Sequence, residues 1–152
     1  ACRAGSDSDF WYGDMNTDFG KYENLADKTT LLFAVSGIDP QPMSPNSMWY
    51  KYYTYLPKEE GVDDGQLIQT GEKVYEANPF GLYNMHGNVS EWTRSDYVPY
   101  PYNPKTKLTS DHKVVRGGSY IERPKFSTAY ARKAYYPYQR VFNVGFRVII
   151  ED

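Results

Sequence analysis

Oxygen donors are the residues of this chain best suited to chemistry. Asn24, Asp27, Asp63, Asp64, Asn84, Asn88 and Glu91 fall in turns punctuated by glycine. There, carboxylates and free backbone carbonyls can converge on a hard cation such as calcium at about 2.3–2.6 Å. No EF-hand spacing is present, and Asp, Asn and Gly in turns also serve the backbone itself. Nucleophilic chemistry is poorly supplied: Cys2 is terminal, neither His86 nor His112 has a Ser or Cys nearby in a recognised motif, and no G-x-S-x-G elbow exists. One cysteine excludes an internal disulfide and a cysteine-rich zinc site, and two histidines cannot build an imidazole cluster. Both histidines read as surface or hydrogen-bonding groups. The pairs Glu59/Glu60 and Asp63/Asp64 sit in the hydrophilic run KEEGVDDG and read as a solvated turn rather than an acid–base pair. Arg116, Arg123, Arg132, Arg140 and Arg147 recur among tyrosines and read as stacking and ion-pairing groups, with anionic-ligand binding the sharper alternative.

Little regular structure is predicted to position these groups. Residues 1–5 read as the tail of a helix closed by glycine, and FWYG at 10–13 as a short strand ended by a turn. PQPMSPN at 40–46 holds three prolines in seven residues, which precludes helix and central strand alike and predicts a surface loop. The aromatic run 48–56 reads as a strand or an irregular packed segment. The clearest strands are 113–116, running into Gly117-Gly118, and 145–150. In GFRVII, Phe146, Val148 and Ile150 alternate with Arg147 and Ile149, as in a strand with one buried face. Residues 122–143 carry no regular pattern. A mainly irregular domain needs something besides backbone ladders to order its loops, and bound metal or a partner chain are the usual means.

The chain length, 152 residues, suits one domain that buries roughly two thirds of its unfolded surface. Seventeen basic residues against nineteen acidic ones, with no Lys/Arg block, exclude the electrostatic footprint of a nucleic-acid binder. A mean hydropathy of −0.72, with no apolar run near the ~18 residues a span requires, excludes a transmembrane helix and predicts a soluble domain. Sixteen Tyr, seven Phe and three Trp accompany twelve Gly and ten Pro, which suits either an aromatic binding face or the margins of a small core. The start at Ala1, without Met or signal sequence, leads us to expect a piece of a longer polypeptide.

In order, ACRAGSDSDFWYG, YENLAD, NPFGLYNMHGNVSEW, VVRGGSY and NVGFRVI resemble the signatures of the formylglycine-generating enzyme, or sulfatase-modifying factor, family. The resemblance runs nearly end to end and implies one domain over 1–152, matching the C-terminal part of a family domain. The implied fold is α+β and C-type-lectin-like, of low secondary-structure content, with short antiparallel strands and long loops. It also implies two calcium sites. One maps to Asn24, the Leu25 carbonyl, Asp64 and the Gln66 carbonyl; the other maps to Asn84, the Gly87 and Val89 carbonyls and Glu91. All four side-chain ligands are oxygen donors, as a hard cation requires.

The family reaction oxidises a substrate cysteine with molecular oxygen, using two cysteines beyond GGS that bind copper(I). Those places fall here at Glu122 and Ser127, which are poor copper(I) ligands. Ser90 stands where a tryptophan is expected in GNVWEW, while Ser119 of GGS is retained. Pocket-equivalent positions are therefore Ser90, Ser119, Glu122 and Ser127. The expectation is one or two calcium ions, no copper, and a non-catalytic binding or assembly module acting outside the cytoplasm (periplasmic, cell-surface or secreted). Its expected partners are an upstream part of the same polypeptide, another protein chain, or a peptide or small ligand. The alternative is a superfamily enzyme whose divergent chemistry uses those four positions. EAN at 76–78 lacks the W-N-D that accompanies it in sugar-binding lectins, so calcium-mediated carbohydrate binding is not expected.

Overall fold

Backbone ladders order only a small part of the residues whose structure is described. The structure, a computed structural model, describes residues 1–36, 39–42, 58–71, 73–101, 103 and 111–150. Six short strands lie among them: β1 (Phe33–Ser36), β2 (Asp39–Pro42), β3 (Ser90–Asp96), β4 (Lys113–Arg116), β5 (Lys133–Tyr135) and β6 (Val144–Gly145). Two 3-10 helices, Lys28–Leu32 and Pro124–Phe126, complete the regular elements, and no α-helix occurs among the described residues. β1 and β2 form an antiparallel pair. The other four strands form a sheet in the order β5-β4-β3-β6. β3, β4 and β5 are antiparallel neighbours, whereas β6 runs parallel to β3 with Ser90 opposite Val144 and Glu91 opposite Gly145. The sheet is therefore mixed, and the expectation of antiparallel strands alone is corrected at its β6 edge.

The predicted strand at 113–116 is present as β4, with Val114 and Val115 buried against its two neighbours. The predicted strand at 145–150 is not. β6 ends at Gly145, and Phe146, Val148, Ile149 and Ile150 all face solvent. Alternation alone predicts a strand, but among the described residues no neighbouring strand covers that side of β6. FWYG forms a tight turn instead, closed by reciprocal bonds between Phe10 and Gly13. Residues 1–5 are likewise a turn, with Ala4 and Gly5 at positive φ. Pro40 and Pro42 lie in β2, which has one partner and so tolerates two missing donors. Residues 43–46 and the run 48–56 lie outside the described residues.

Side chains do much of what strands do elsewhere. Asn88 bonds Thr70 as a ladder rung would, accepting from its N–H at 2.8 Å and donating to its carbonyl at 3.2 Å. Asn78 accepts from the Phe80 and Leu82 amides and donates to the Ala1 and Cys2 carbonyls, pinning the chain start to a loop 76 residues away. Asp27 precedes the first 3-10 helix as its cap: Oδ1 accepts from the Thr29 amide at 2.7 Å, and its own N–H donates to Thr30 Oγ1 at 3.0 Å. Buried peptide groups must be paired, and in a loop-rich chain short amide and carboxylate side chains supply the partners. The apolar core is correspondingly small. Phe10, Phe19, Leu25, Val114 and Val115 are buried beside an aromatic cluster in which Tyr12 stacks between Phe10 and Tyr22, at 5.0 and 4.8 Å, with Trp11 edge-on.

Candidate functional site

The first predicted oxygen-ligand set is brought together. Residues 23–27 run fully buried under the KEEGVDDG turn. The Leu25 amide donates to Asp64 Oδ2 at 3.0 Å, and the Gln66 amide to Asp64 Oδ1 at 2.8 Å. Asn24 Nδ2 donates to the Ile68 carbonyl, and Thr29 Oγ1 to the Gln66 carbonyl. Asp27 closes the set: its Oδ2 accepts from the Asp64 amide at 2.7 Å. Two buried carboxylates thus lie side by side. Burial pushes the Asp64 carboxyl up to about 7, with Asp27 and Asp63 adding to the rise. The donor set is oxygen-only and charge-rich, which fits a hard cation. The KEEGVDDG run is solvated only in part: Glu60 and Asp63 are exposed, Asp63 pairs with Lys28 and Glu59 with Arg123, but Asp64 is buried. The solvated-turn reading is corrected there, because the 61–65 turn lays this one side chain against the Asn24–Leu25 backbone.

The second set is assembled from the NMHG turn and the start of β3. Asn84 takes a left-handed φ of +53°, and its Oδ1 is buried without a partner, an acceptor that a bound cation would satisfy. Gly87, at φ +77°, passes so close to the Asn24 carbonyl that a Cβ would lie 2.3 Å from it, so the two sets share a backbone contact. Glu91 is engaged by Arg147, whose Nε donates to both carboxylate oxygens at 3.1 Å and whose Nη2 donates to Oε1 at 2.8 Å and to the Tyr83 carbonyl at 2.9 Å. Asn84 fits a cation, while Glu91 already carries a guanidinium counter-charge. A cavity of about 520 Å³ lies beside them.

Of the four pocket-equivalent residues, the three serines are buried and Glu122 is half-buried. Ser119 is fully buried and accepts from Asn143 Nδ2 at 2.8 Å. Ser90 and Ser127 are buried with no partner for either hydroxyl. Gly118, at φ +75°, packs so tightly on Ser127 that a Cβ would fall 1.9 Å from its Oγ. Glu122 is ion-paired to Lys133 through Oε1, while its Oε2 is buried and unpartnered.

Sequence reasoning missed the setting of the one thiol. Cys2 lies 3.4 Å from His86 Nε2, and His86 Nδ1 lies 2.7 Å from the Ser127 carbonyl. A carbonyl only accepts, so Nδ1 carries the proton and Nε2 is free to accept from the thiol. Burial raises the thiol to about 11 and lowers the imidazole to about 4, so both stay neutral and the pair is no activated nucleophile. His86 is not a surface histidine. Glu23, fully buried, accepts from Trp11 Nε1 at 3.2 Å, and burial holds its carboxyl well above the usual range. No local signal announces a contact across 84 residues, nor the burial of one glutamate in YENLAD. The arginines behave as stacking and pairing groups: Arg116 donates to two carbonyls, Arg132 lies over Tyr97 and Tyr100, and Arg123 and Arg147 pair with carboxylates, while Arg140 is exposed. His112 stacks on Tyr136.

Comparison with known proteins gives the family and the fold. The family model of the sulfatase-modifying factor enzyme 1-like domain matches residues 1–152. Formylglycine-generating enzyme of Streptomyces coelicolor is 33% identical over 101 residues, covering 60% of this chain and 32% of that protein. The Mus musculus formylglycine-generating enzyme is 37% identical over 101 residues, covering 60% of this chain and 27% of that protein. The matched part thus spans between about a quarter and a third of the length of these relatives. Among solved structures, PvdO from Pseudomonas aeruginosa superposes with a TM-score of 0.60 at 22% identity, over 95% of this chain and 46% of that one. Treponema denticola variable protein 1 does so at 0.58 and 18%, over 95% and 41%. At such identities the structural likeness speaks for the fold alone.

Proposed function

Because the chain belongs to the sulfatase-modifying factor enzyme 1-like family, we propose that it is a calcium-stabilised binding or assembly module of that family, with a C-type-lectin-like fold, that does not generate formylglycine. It acts outside the cytoplasm, where calcium is plentiful, as part of a larger protein or complex. One observation carries the reading: the two places that the resemblance assigns to copper-binding cysteines hold Glu122, ion-paired to Lys133, and Ser127, buried against Gly118. Neither offers the soft thiolate that copper(I) prefers, so copper does not fit. Oxygen donors do fit calcium. Asn24, Asp64 and the Leu25 and Gln66 carbonyls would hold one ion, beside Asp27, and the orphaned Asn84 Oδ1 supports a second with Gly87, Val89 and Glu91. Calcium in those loops neutralises buried carboxylate charge and ties segments far apart in sequence.

Elemental analysis of the purified chain, paired with thermal melts with and without chelator, tests the proposal. Calcium without copper, and a melting temperature lowered by chelation, support it. Stoichiometric copper, or turnover of a cysteine in a CxPxR peptide, overturns it.

A second reading draws on the orphaned hydroxyls and carboxylate oxygen of Ser90, Ser127 and Glu122. Acid–base or binding chemistry in that pocket would make the chain a divergent enzyme. Glu122→Ala would then abolish a measurable turnover.

A further inference from the structure

The first oxygen-donor set lies in more negative charge than its own ligands account for. Asn24 and the Leu25 and Gln66 carbonyls are neutral, so Asp64 is the one charged member. Asp27 adds a second carboxylate, at 0% exposure, and among the described residues no ion pair joins either carboxylate to a basic side chain. Burying carboxylates without a counter-cation is costly. Asp27 is already engaged by protein donors. Its Oδ1 accepts from the Thr29 amide at 2.7 Å and the Thr29 hydroxyl at 2.6 Å, and its Oδ2 accepts from the Asp64 amide at 2.7 Å. The same contacts leave carbonyls open. The Thr29 hydroxyl has one proton, which the shorter contact to Asp27 takes, so the Gln66 carbonyl at 3.1 Å keeps its lone pairs. Leu25 is 1% exposed, and its carbonyl accepts no hydrogen bond among the described residues. A buried carbonyl left unpaired is rare in a folded chain and calls for a bound partner.

We propose that Asp27 is the positioning residue that makes this site select calcium over monovalent cations. It acts through Asp64. Its Oδ2 fixes the main chain of the residue whose side chain would ligate, and its charge doubles the buried negative charge to what a divalent ion neutralises. Charge count around the ligands is what tunes such sites, and with Asp64 alone the set would suit sodium as well. Asp63 does not take over this role, because it is exposed and paired with Lys28, where solvent screens its charge. The inference rests on the calcium reading above and goes beyond it by naming the residue that sets which ion charge is accepted.

Calorimetric calcium titration of the metal-free natural polypeptide that contains these residues, in sodium and in choline buffers of equal ionic strength, tests it. The binding lost in Asp64→Ala marks the first site. At that site the parent is expected to differ by less than about twofold between the two buffers. Asp27→Asn should weaken calcium by about 100-fold in choline and by more in sodium, whereas Asp63→Asn costs less than about threefold in either. The sodium-to-choline ratio separates charge from shape, since loosening the turn alone weakens both cations and leaves the ratio near one. Calcium affinity and ratio in Asp27→Asn equal to those of the parent overturn the proposal. So does a parent whose calcium affinity falls more than about tenfold in sodium, a readout that stands even if the variant fails to fold. Calcium uptake that Asp64→Ala leaves unchanged overturns the calcium reading of this site, and this inference with it.

Discussion

Two buried ionisable groups, His86 and Glu23, set opposite demands on the pH at which the chain is stable. His86 has a folded value of about 4 against an ordinary 6.5, so the unfolded chain binds the extra proton between them. Its contribution is present above pH 6.5 and is lost as pH falls through 4, an effect of up to about 3 kcal/mol. Over the same range the raised carboxyls of Glu23 and Asp64 contribute the opposite slope, so the His86 share is read as the difference in urea unfolding between the parent and His86→Gln from pH 7 to 4: the variant is expected to lose less stability, or gain more, than the parent. Glu23 works the other way, because burial raises its carboxyl. Its contribution is present below pH 4.5 and is lost as pH rises through the folded value. Glu23→Gln keeps the shape and removes the charge, so it should melt higher than the parent at pH 8, with the difference vanishing near pH 4. An unchanged melt at pH 8 would show that Glu23 is ionised and paired in the fold.

At the scale of turns and strands, close backbone approach is the test of the architecture. Gly87→Ala sets a Cβ against the Asn24 carbonyl in a left-handed conformation. Gly81→Ala meets the same φ penalty in open space. We expect about 1 kcal/mol for Gly81→Ala and at least about 3 kcal/mol for Gly87→Ala, read by denaturant unfolding. Gly87→Ala should also weaken calcium binding, since it separates the two oxygen-donor loops. The sequence was most legible where chemistry is local. β4 announced itself by KVVR before a glycine pair, whereas the division of the oxygen donors into two sets was implied only by the family resemblance. It was least legible where tertiary pairing decides. Alternation in GFRVII speaks of a strand but not of which neighbour covers it, and nothing near Cys2 points to His86. Asp64 read as solvated because its burial depends on Leu25, 39 residues away.

For the molecule as a whole, the question is what holds so loop-rich a chain in one conformation. Four strands of two to seven residues form its larger sheet, and the described residues hold no α-helix. No helix among them is long and apolar enough to cross a membrane. On the proposed reading, the two oxygen-donor loops, joined through the Gly87–Asn24 contact, would make calcium a cooperative tie rather than a local ornament. Chelation is therefore expected to lower the melting temperature by more than about 5 °C and to broaden the transition, since a ligand that binds only the folded chain stabilises all of it. Asp64→Ala should mimic loss of the first ion, leaving a smaller response to added calcium than the parent shows. A sharp, unshifted melt in chelator would mean that hydrogen bonds alone close both loops.

The use of asparagine as surrogate backbone has a consequence for how such a chain can change over generations. If Asn78 and Asn88 fix the path of the main chain, the residues strung between those pins are released from specifying it, and their identity and number can drift. Gly71, exposed with nothing within 4 Å of a would-be Cβ and lying between Thr70 and Asn78, marks one such span. Six Gly/Ser residues inserted after it should destabilise the chain by no more than about 1 kcal/mol. Asn88→Ala, which deletes no main chain at all, should remove about 2 kcal/mol by stranding the Thr70 amide and carbonyl. A few pins and many expendable spans make a scaffold on which surface variety can accumulate without re-inventing the fold.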